Sequence, residues 1–225
     1  MNADDLKRIA AERAVEWIED GMTVGLGTGS TAYWAIRRIG ERVKEGLSIR
    51  AAASSVRSER LAEELGIPLV PLEAIGRFDV TIDGADEVDD RLNLIKGGGG
   101  ALLREKVLAD ASDRFIVIVD GTKLVGTLGA FPLPVEIVPF GANLTLNRLK
   151  ELGVDPIVRE SGGERYVTDN GNWIADCRFG TIDDPKSLTV RLNQIPGVVD
   201  NGLFVGMTWA VVAAGSDGGV KVLKP

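Results

Sequence analysis

Apolar positions near the start of the chain alternate between helical spacing and short continuous runs. Between Leu6 and Ile18 they recur every three or four residues, which predicts an amphipathic helix that stops at Gly21. A short apolar run, Thr23 to Gly27, follows, and helical spacing resumes over Thr31 to Glu45. This region is therefore predicted to form a strand, a glycine turn and a helix.

The alternation continues to residue 120. Strands are predicted at Ile49–Ala53, Pro68–Leu72, Asp79–Ile82 and Phe115–Asp120, and helices at Ser58–Leu65 and Ala101–Ala111. Strands that alternate with helices are typical of a parallel sheet covered on both faces. We therefore expect a Rossmann-like α/β domain.

From Leu133 the pattern changes to a β-α-β-β-α-β order. The predicted elements are strand Val135–Phe140, helix Leu144–Leu152, strands Pro156–Glu160 and Trp173–Cys177, helix Pro185–Gln194 and strand Val198–Phe204. This order is that of a ferredoxin-like, split βαβ unit. A hairpin from Trp209 to Leu223 is expected to return to the first domain. The predicted organisation is a Rossmann-like catalytic domain, 1–130 plus 206–225, and a smaller α+β ferredoxin-like domain, 131–205.

Composition narrows the chemistry. The chain has no histidine and one cysteine, Cys177. A Ser-His-Asp triad, a Cys-His dyad, a histidine metal site and an intrachain disulfide are therefore excluded. Acid and base catalysis must come from carboxylates, lysine or tyrosine.

Charge and hydropathy limit the partners. The net charge of −7 gives no reason to expect a nucleic acid. No apolar run approaches the roughly 20 residues of a membrane span, and the first residues do not resemble a signal peptide. We expect a cytoplasmic protein that binds neither nucleic acid nor membranes, and an anionic substrate would need a local cationic pocket.

The first candidate site is the turn from Gly25 to Thr31. It joins a strand to a helix, so free backbone N–H groups and the positive end of the helix dipole suit a phosphate, and hydroxyls add donors. A dinucleotide fingerprint would need a glycine where Ser30 stands and an acidic residue at the end of the next strand, which this chain lacks. A purely structural turn is the alternative.

The second candidate begins at Asp83, where an apolar strand ends. Asp83 and Asp86 flank Gly84 and Ala85, and strand carboxyl ends are where open α/β sheets bind ligands. An ordinary turn and a magnesium site that also includes Glu87 are the alternatives.

The third candidate is Lys96 with the four glycines that follow it. Glycines permit an unusual backbone path, and the lysine could stabilise a developing oxyanion. Glu105, in the next helix, is either a base or a solvated helix residue. Lys123 shares the expected sheet edge, whereas little besides charge indicates Lys7.

Together these segments resemble the A type of ribose-5-phosphate isomerase. The matching segments cover most of the chain in the family's order: G-L-G-T-G-S-T, V-T-I-D-G-A-D-E-V, L-I-K-G-G-G-G-A-L-L-R-E-K, F-P-L-P-V-E and V-T-D-N-G-N. Two departures touch no catalytic group. Many members have alanine at the place of Gly100, and Ser54 to Ser58 matches the family's serine-rich stretch only loosely.

The resemblance assigns roles residue by residue. It implies a substrate-binding turn at Thr28, Gly29, Ser30 and Thr31, the D-G-A-D segment at Asp83, Gly84, Ala85 and Asp86, the K-G-G-G segment at Lys96, Gly97, Gly98 and Gly99, a catalytic glutamate at Glu105, and substrate-binding lysines at Lys7 and Lys123. It also implies a homodimer or homotetramer that uses a small sugar phosphate and needs no metal or cofactor.

The implied reaction interconverts ribose 5-phosphate and ribulose 5-phosphate through a cis-enediolate. Glu105 would carry the proton between C2 and C1, Asp83 would open the furanose ring, and Asp86 and Lys96 would manage protons and charge at O1 and O2. Two rival hypotheses are an acyl-CoA transferase with a nucleophilic glutamate and a sugar-phosphate sensor. A sensor would normally carry a DNA-binding helix-turn-helix, for which the predicted elements leave no room.

Overall fold

The computed structural model describes residues 1–225, which divide into two units. The first contains residues 1–85, 104–124 and 207–225, and the second contains residues 86–103 and 125–206. No helix in the structure has the length and apolar character needed to cross a membrane.

A six-stranded sheet forms the centre of the first unit, in the order β15-β14-β6-β3-β1-β2. Its strands are β1 (Thr23–Leu26), β2 (Arg50–Ala53), β3 (Val80–Gly84), β6 (Phe115–Asp120), β14 (Ala210–Ala214) and β15 (Val220–Leu223). Neighbouring strands are parallel except for β15, which pairs antiparallel with β14. Every residue of β1, β6 and β14 is buried, as expected of a parallel sheet covered on both faces. The prediction of a parallel α/β sheet is confirmed.

Four helices lie wholly or partly in this unit, and side chains cap the N-termini of two of them. They are α1 (Ala3–Val15), α2 (Ser30–Lys44), α3 (Val56–Glu64) and α4 (Leu102–Asp110), of which residues 104–110 belong to this unit. Asn2 and Asp5 form a capping box at α1, and Ser55 caps α3. Ile36 and Ile39 of α2 belong to the same buried apolar cluster as Val24 and Ile82 of the sheet.

The second unit contains a four-stranded antiparallel sheet in the order β12-β7-β11-β8. Its elements are β7 (Leu133–Ile137), α5 (Ala142–Lys150), β8 (Ile157–Val158), β11 (Trp173–Cys177), α6 (Pro185–Asn193) and β12 (Val198–Asn201). Counted along the chain, the strand order is fourth, first, third, second, which is the split βαβ arrangement. The ferredoxin-like prediction is therefore confirmed.

Five short strands were not predicted as separate elements. Three form a small sheet, β4 (Glu87–Val88), β5 (Leu94–Ile95) and β13 (Leu203–Phe204), and two form a hairpin, β9 (Glu160–Ser161) and β10 (Glu164–Arg165). Each has two residues, too few for an alternating pattern to be recognised. The small sheet matters because Lys96 directly follows its middle strand.

The prediction of a strand at Pro68–Leu72 is wrong. Leu69 forms only an isolated bridge with Ala51, and a 3₁₀ turn occupies Leu72–Ala74. Val70 N donates to Ala51 O and Ala51 N donates to Pro68 O, each at 2.9 Å, but Pro68 and Pro71 have no N–H to donate, which limits the pairing to this one bridge.

The predicted strand Val198–Phe204 is divided between two sheets, as β12 and β13. Gly202 marks the division, because its N–H donates to Pro134 and its carbonyl accepts from Lys96, each at 2.8 Å. A Cβ at Gly202 would lie 2.9 Å from Pro134 Cδ, so only glycine fits there. The predicted strand Pro156–Glu160 is similarly divided between β8 and β9.

The two units differ from the predicted domains at three places. Residues 86–103, 125–130 and 206, predicted in the first domain, group with the second unit, where β4 and β5 pair with β13 and Val125 N donates to Val88 O at 2.9 Å. The domain boundaries 1–130 plus 206–225 and 131–205 stay a prediction.

Candidate active site

Three neighbouring strands of the first unit end at one edge of its sheet. Leu26 of β1 pairs with Ile82 of β3, and Gly84 of β3 pairs with Ile118 of β6. Because these strands are parallel, the segments after them meet at their carboxyl ends. The structure thus places Thr28–Thr31, Asp83–Ala85 and Lys123 at a common edge.

The glycine turn leaves the N-terminus of α2 without a side-chain cap. Gly29 occupies the cap position with φ of 105°, which favours glycine, and Tyr33 makes the first backbone bond back to Gly29. Ser30 is exposed and Thr31 is partly exposed. The first N–H groups of a helix have no partner within it, so this uncapped end can receive an anion.

Hydrogen bonds of Thr28 to Asp83 and Ser55 hold the glycine turn in place. The Thr28 N–H donates to Asp83 Oδ1 at 3.0 Å, and its hydroxyl donates to Ser55 Oγ at 2.9 Å. Ser58 in turn donates its hydroxyl to the Gly27 carbonyl at 2.7 Å. The serine stretch that matched the family loosely thus forms a polar cluster that holds the turn.

Asp83 is buried, with 1% of its surface exposed. Its Oδ1 accepts from the N–H groups of both Thr28, at 3.0 Å, and Gly84, at 2.7 Å. A Cβ at Gly27 would overlap this carboxylate, so the glycine is required for the approach. The carboxylate is thereby held in one orientation at the sheet edge.

Glu105 lies in the first turns of α4 and is 3% exposed. The other end of α4 lies beside the start of β3, since Phe78 N donates to Ala111 O at 2.9 Å and Ser112 Oγ donates to Thr81 Oγ1 at 2.7 Å. The helix therefore runs antiparallel to β3, and Glu105 lies toward the carboxyl edge. Its burial excludes the alternative of a solvated helix residue.

The two candidate lysines of the first unit have different surroundings. Lys123 ends a 3₁₀ turn directly after β6, where Asp120 accepts from the Thr122 N–H at 3.0 Å. Lys7 lies on α1, and its Nζ is 3.1 Å from Asp4 Oδ1. Lys123 is thus at the shared edge, whereas Lys7 already has an acidic neighbour.

Asp86 and the glycines after Lys96 are joined within the second unit. Asp86 N donates to Ile95 O at 2.8 Å, and Asp86 Oδ2 accepts from the Gly98 N–H at 2.8 Å. Lys96 is 2% exposed, and its Nζ lies 5.3 Å from the centre of the Phe204 ring. The structure therefore brings together Asp86, Lys96 and the segment Gly97–Gly99.

Glu87 has a structural use. Its carboxylate accepts from Gly129 N at 2.7 Å and Phe131 N at 2.5 Å, and the side chain is 4% exposed. No group of three or more histidine, cysteine, aspartate or glutamate side chains in the chain is arranged to hold a metal ion. The magnesium alternative thereby loses Glu87 as a ligand.

Two features of the second unit were missed by sequence reasoning. Glu136 is fully buried, and its Oε1 accepts from Thr168 Oγ1 at 3.0 Å and Asn172 Nδ2 at 2.9 Å, which joins the F-P-L-P-V-E and V-T-D-N-G-N segments. The occurrence of these two segments together was the available signal. Arg159, which bonds to the carbonyls of Gly97 and Gly98, had no signal because its acceptors are backbone atoms distant in sequence.

Known proteins resemble this chain over most or all of its length. The family model of ribose 5-phosphate isomerase A (phosphoriboisomerase A) matches residues 50–218. The chain is 51% identical over 231 residues to ribose-5-phosphate isomerase A of Parvibaculum lavamentivorans, with both chains fully covered. It resembles the solved ribose 5-phosphate isomerase A of Methanocaldococcus jannaschii, with a TM-score of 0.93 at 42% identity over 98% of this chain and 99% of that one. A D-ribose-5-phosphate isomerase in complex with phospho-erythronic acid gives a TM-score of 0.96 at 40% identity, with both chains fully covered. The chain therefore belongs to the ribose 5-phosphate isomerase A family.

Proposed function

We propose that the chain interconverts D-ribose 5-phosphate and D-ribulose 5-phosphate, a step of the non-oxidative pentose phosphate pathway. The observation that carries the proposal is the edge of the first unit, where an uncapped helix end, an oriented Asp83 and a buried Glu105 occur on neighbouring elements. A phosphate site and acid–base carboxylates are what a sugar-phosphate isomerase needs. The relative that binds phospho-erythronic acid supports a phosphorylated substrate.

The phosphate binds at the start of α2. Backbone N–H groups and the hydroxyls of Ser30 and Thr31 supply donors, and Lys123 and Lys7 supply positive charge in a chain whose net charge is −7. Binding energy at the phosphate orients the reacting carbons. A sugar that lacks the phosphate loses this orientation.

Glu105 moves the proton. It takes the proton from C2 as the cis-enediolate forms and returns it to C1, while a proton moves from O2 to O1 and the carbonyl moves from C1 to C2. Asp83 opens the furanose ring by moving a proton between the ring oxygen and the O1 hydroxyl. Asp86 and Lys96, which the family resemblance places among the site residues, would handle the protons and negative charge at O1 and O2.

The proposal includes no cofactor and no metal. Substrate and product are isomers, so atoms and electrons balance without an external oxidant or reductant. The lysines and backbone N–H groups supply the positive charge that the enediolate requires.

The test is turnover of ribose 5-phosphate by purified protein in the presence of EDTA, measured as ketose formation. Glu105→Gln is compared with Glu59→Gln, because Glu59 is an exposed acid in the first turn of α3. Loss of a general base lowers the rate by roughly 10²–10⁴-fold, whereas the control should match the wild type. An inactive wild type, with or without EDTA, contradicts the proposal, and trapping of an acyl-enzyme by hydroxylamine would favour a transferase. A fully active Glu105→Gln contradicts only the choice of base.

We further propose that the protein acts in the cytoplasm as a homodimer or homotetramer, with no nucleic-acid or membrane partner. The family resemblance supports an oligomer. So do two exposed apolar side chains near the start of α5, Phe140 at 93% and Leu144 at 66% exposure, which a second copy would cover. Light scattering of the purified protein that gives the mass of a single chain would contradict the oligomer.

A further inference from the structure

Arg159, between β8 and β9, bonds to the glycine segment from 62 positions away in sequence. Its Nη1 donates to Gly97 O at 2.9 Å and to Gly98 O at 3.1 Å. Its Nε and Nη2 donate to the two carboxylate oxygens of Asp176, at 2.9 and 2.5 Å. This bidentate pair fixes the plane of the guanidinium and so the position of Nη1.

The peptide between Gly97 and Gly98 connects Arg159 to Asp86. The chain has no cis peptide bonds, and in a trans peptide the C=O and N–H point in opposite directions. On one side Gly97 O accepts from Arg159, and on the other Gly98 N–H donates to Asp86 Oδ2 at 2.8 Å. Rotation of this one peptide would break the contacts with both side chains.

The segment Gly97–Gly99 requires glycine, so its flexible backbone must be held in place by other residues. Gly97 has φ of 101°, and a Cβ on Gly98 would lie 2.6 Å from Asp86 Oδ1. A backbone without side chains has many accessible conformations, so other groups must fix it. Tyr166 adds a second support, because its hydroxyl donates to Gly99 O at 3.3 Å and its ring lies 6.0 Å from the Arg159 guanidinium.

We propose that Arg159 is a positioning residue for the isomerase reaction, which acts through the Gly97–Gly98 peptide to hold the carboxylate of Asp86 in its productive orientation. The proposal rests on the proposed function, since it takes Asp86 as a group that meets the substrate. The cation at the Gly97 carbonyl also polarises the peptide, which strengthens the N–H bond to Asp86.

A purely structural role makes a different prediction. The pair of Arg159 and Asp176 also links the residue after β8 to β11 of the four-stranded sheet. Arg159 N donates to Ile174 O of β11 at 2.8 Å. If that were the whole role, loss of the side chain would lower stability without any energetic coupling to Asp86. A double-mutant cycle distinguishes the two roles.

The experiment compares Arg159→Met, Asp86→Asn and the double variant with wild type, measuring kcat and KM separately with ribose 5-phosphate. Arg165→Met is the matched control, because Arg165 lies on the adjacent hairpin with its guanidinium 4.4 Å from the centre of the Trp173 ring. Arg159→Met should lower kcat roughly 10- to 100-fold, as misplacement of a reacting group does, with a much smaller change in KM. In the Asp86→Asn background the same substitution should cost less than about threefold.

Multiplicative losses in the cycle, or an equal loss in Arg165→Met, would overturn the positioning role. If Arg159→Met does not fold, Arg159→Lys, which keeps the charge and fewer of the donors, is used in the same cycle and should retain part of the rate. An inactive wild type contradicts the proposed function together with this inference. An active wild type with multiplicative losses contradicts the inference alone.

Discussion

The N–H of Thr28 donates to Asp83 Oδ1 at 3.0 Å, so a residue of the glycine turn is bound to the carboxylate at the end of the adjacent strand. The same oxygen accepts from Gly84 N at 2.7 Å. Asp83 therefore has one observed task, as a hydrogen-bond acceptor that shapes the turn, and one proposed task, as the group that moves a proton when the furanose ring opens. Substitutions can remove one task and leave the other.

Asp83→Asn should abolish most activity with little loss of stability. The amide oxygen can replace Oδ1 as acceptor, but the amide cannot take up the proton, so kcat should fall roughly 10²–10⁴-fold. Asp83→Ala removes the acceptor as well and should lower the free energy of unfolding by about 2 kcal/mol or more, since two N–H groups lose their partner. Kinetics and urea unfolding of both variants check this. Equal destabilisation by the two substitutions would contradict the division of tasks.

Gly27→Ala should disturb the turn. The added methyl would overlap the Asp83 carboxylate, so the turn and the carboxylate must move apart. We expect a destabilisation of about 1–3 kcal/mol and a raised KM for ribose 5-phosphate. Gly76→Ala is the control, because a Cβ there meets no atom within 4 Å. A Gly27→Ala variant with wild-type stability and KM would contradict the close approach.

Ribose without its phosphate should be a poor substrate. At the start of α2 the phosphate would make several charge-assisted hydrogen bonds, each of about 1.5–3 kcal/mol, and these are lost with free ribose. The value of kcat/KM should therefore be at least about 10³-fold lower than for ribose 5-phosphate. Comparable values for the two sugars would show that the uncapped helix end does not bind the phosphate.

The thiol of Cys177 should be unreactive in the folded protein. Burial, with a smaller contribution from the charge of Asp176, raises the pKa of Cys177 to about 12. A thiol-specific disulfide reagent at pH 8 should detect no thiol in native protein and one per chain after unfolding in guanidinium chloride. Rapid labelling of native protein would contradict the burial of this side chain.

The same shift gives a pH dependence of stability. The folded state keeps the proton of Cys177 while the unfolded state loses it near its ordinary pKa of about 8.5–9. The contribution of Cys177 to stability is therefore complete below that pH and is lost as the pH rises toward about 12. The difference in free energy of unfolding between wild type and Cys177→Ala, measured with urea, should therefore decrease as the pH is raised through this range.

The elements that were predicted correctly are those whose own residues show a clear apolar run or helical spacing. Phe115–Asp120 is a continuous apolar run that ends at Asp120, and it was predicted with its observed bounds. The small sheet of β4, β5 and β13 was missed because its strands pair over only two residues each. A strand was wrongly predicted at Pro68–Leu72 because the run is apolar, although its two prolines have no N–H to donate to a neighbouring strand. Whether such a segment forms a strand depends on pairing with residues distant in sequence, and the local pattern carries no information about that pairing.

The candidate site shows the same division. The turn at Gly25–Thr31 was predictable because glycines between an apolar run and a helical pattern indicate a strand, a turn and a helix from local sequence alone, whereas its use as a phosphate site stays a prediction. The burial of Glu105 was not, since the packing of α4 on the sheet decides it. Arg159 could not be found at all, because it recognises backbone carbonyls of glycine, which leave no side-chain pattern in the sequence.

The position of β14 affects how the chain is made. β6 is buried along its whole length between β3 and β14, but β14 is the second-last strand of the chain. While a ribosome is still adding residues 121–209, β6 has an apolar edge with no strand to cover it, and such an edge pairs readily with other chains. The sheet of the first unit is therefore completed only when β14 and β15 have emerged from the ribosome.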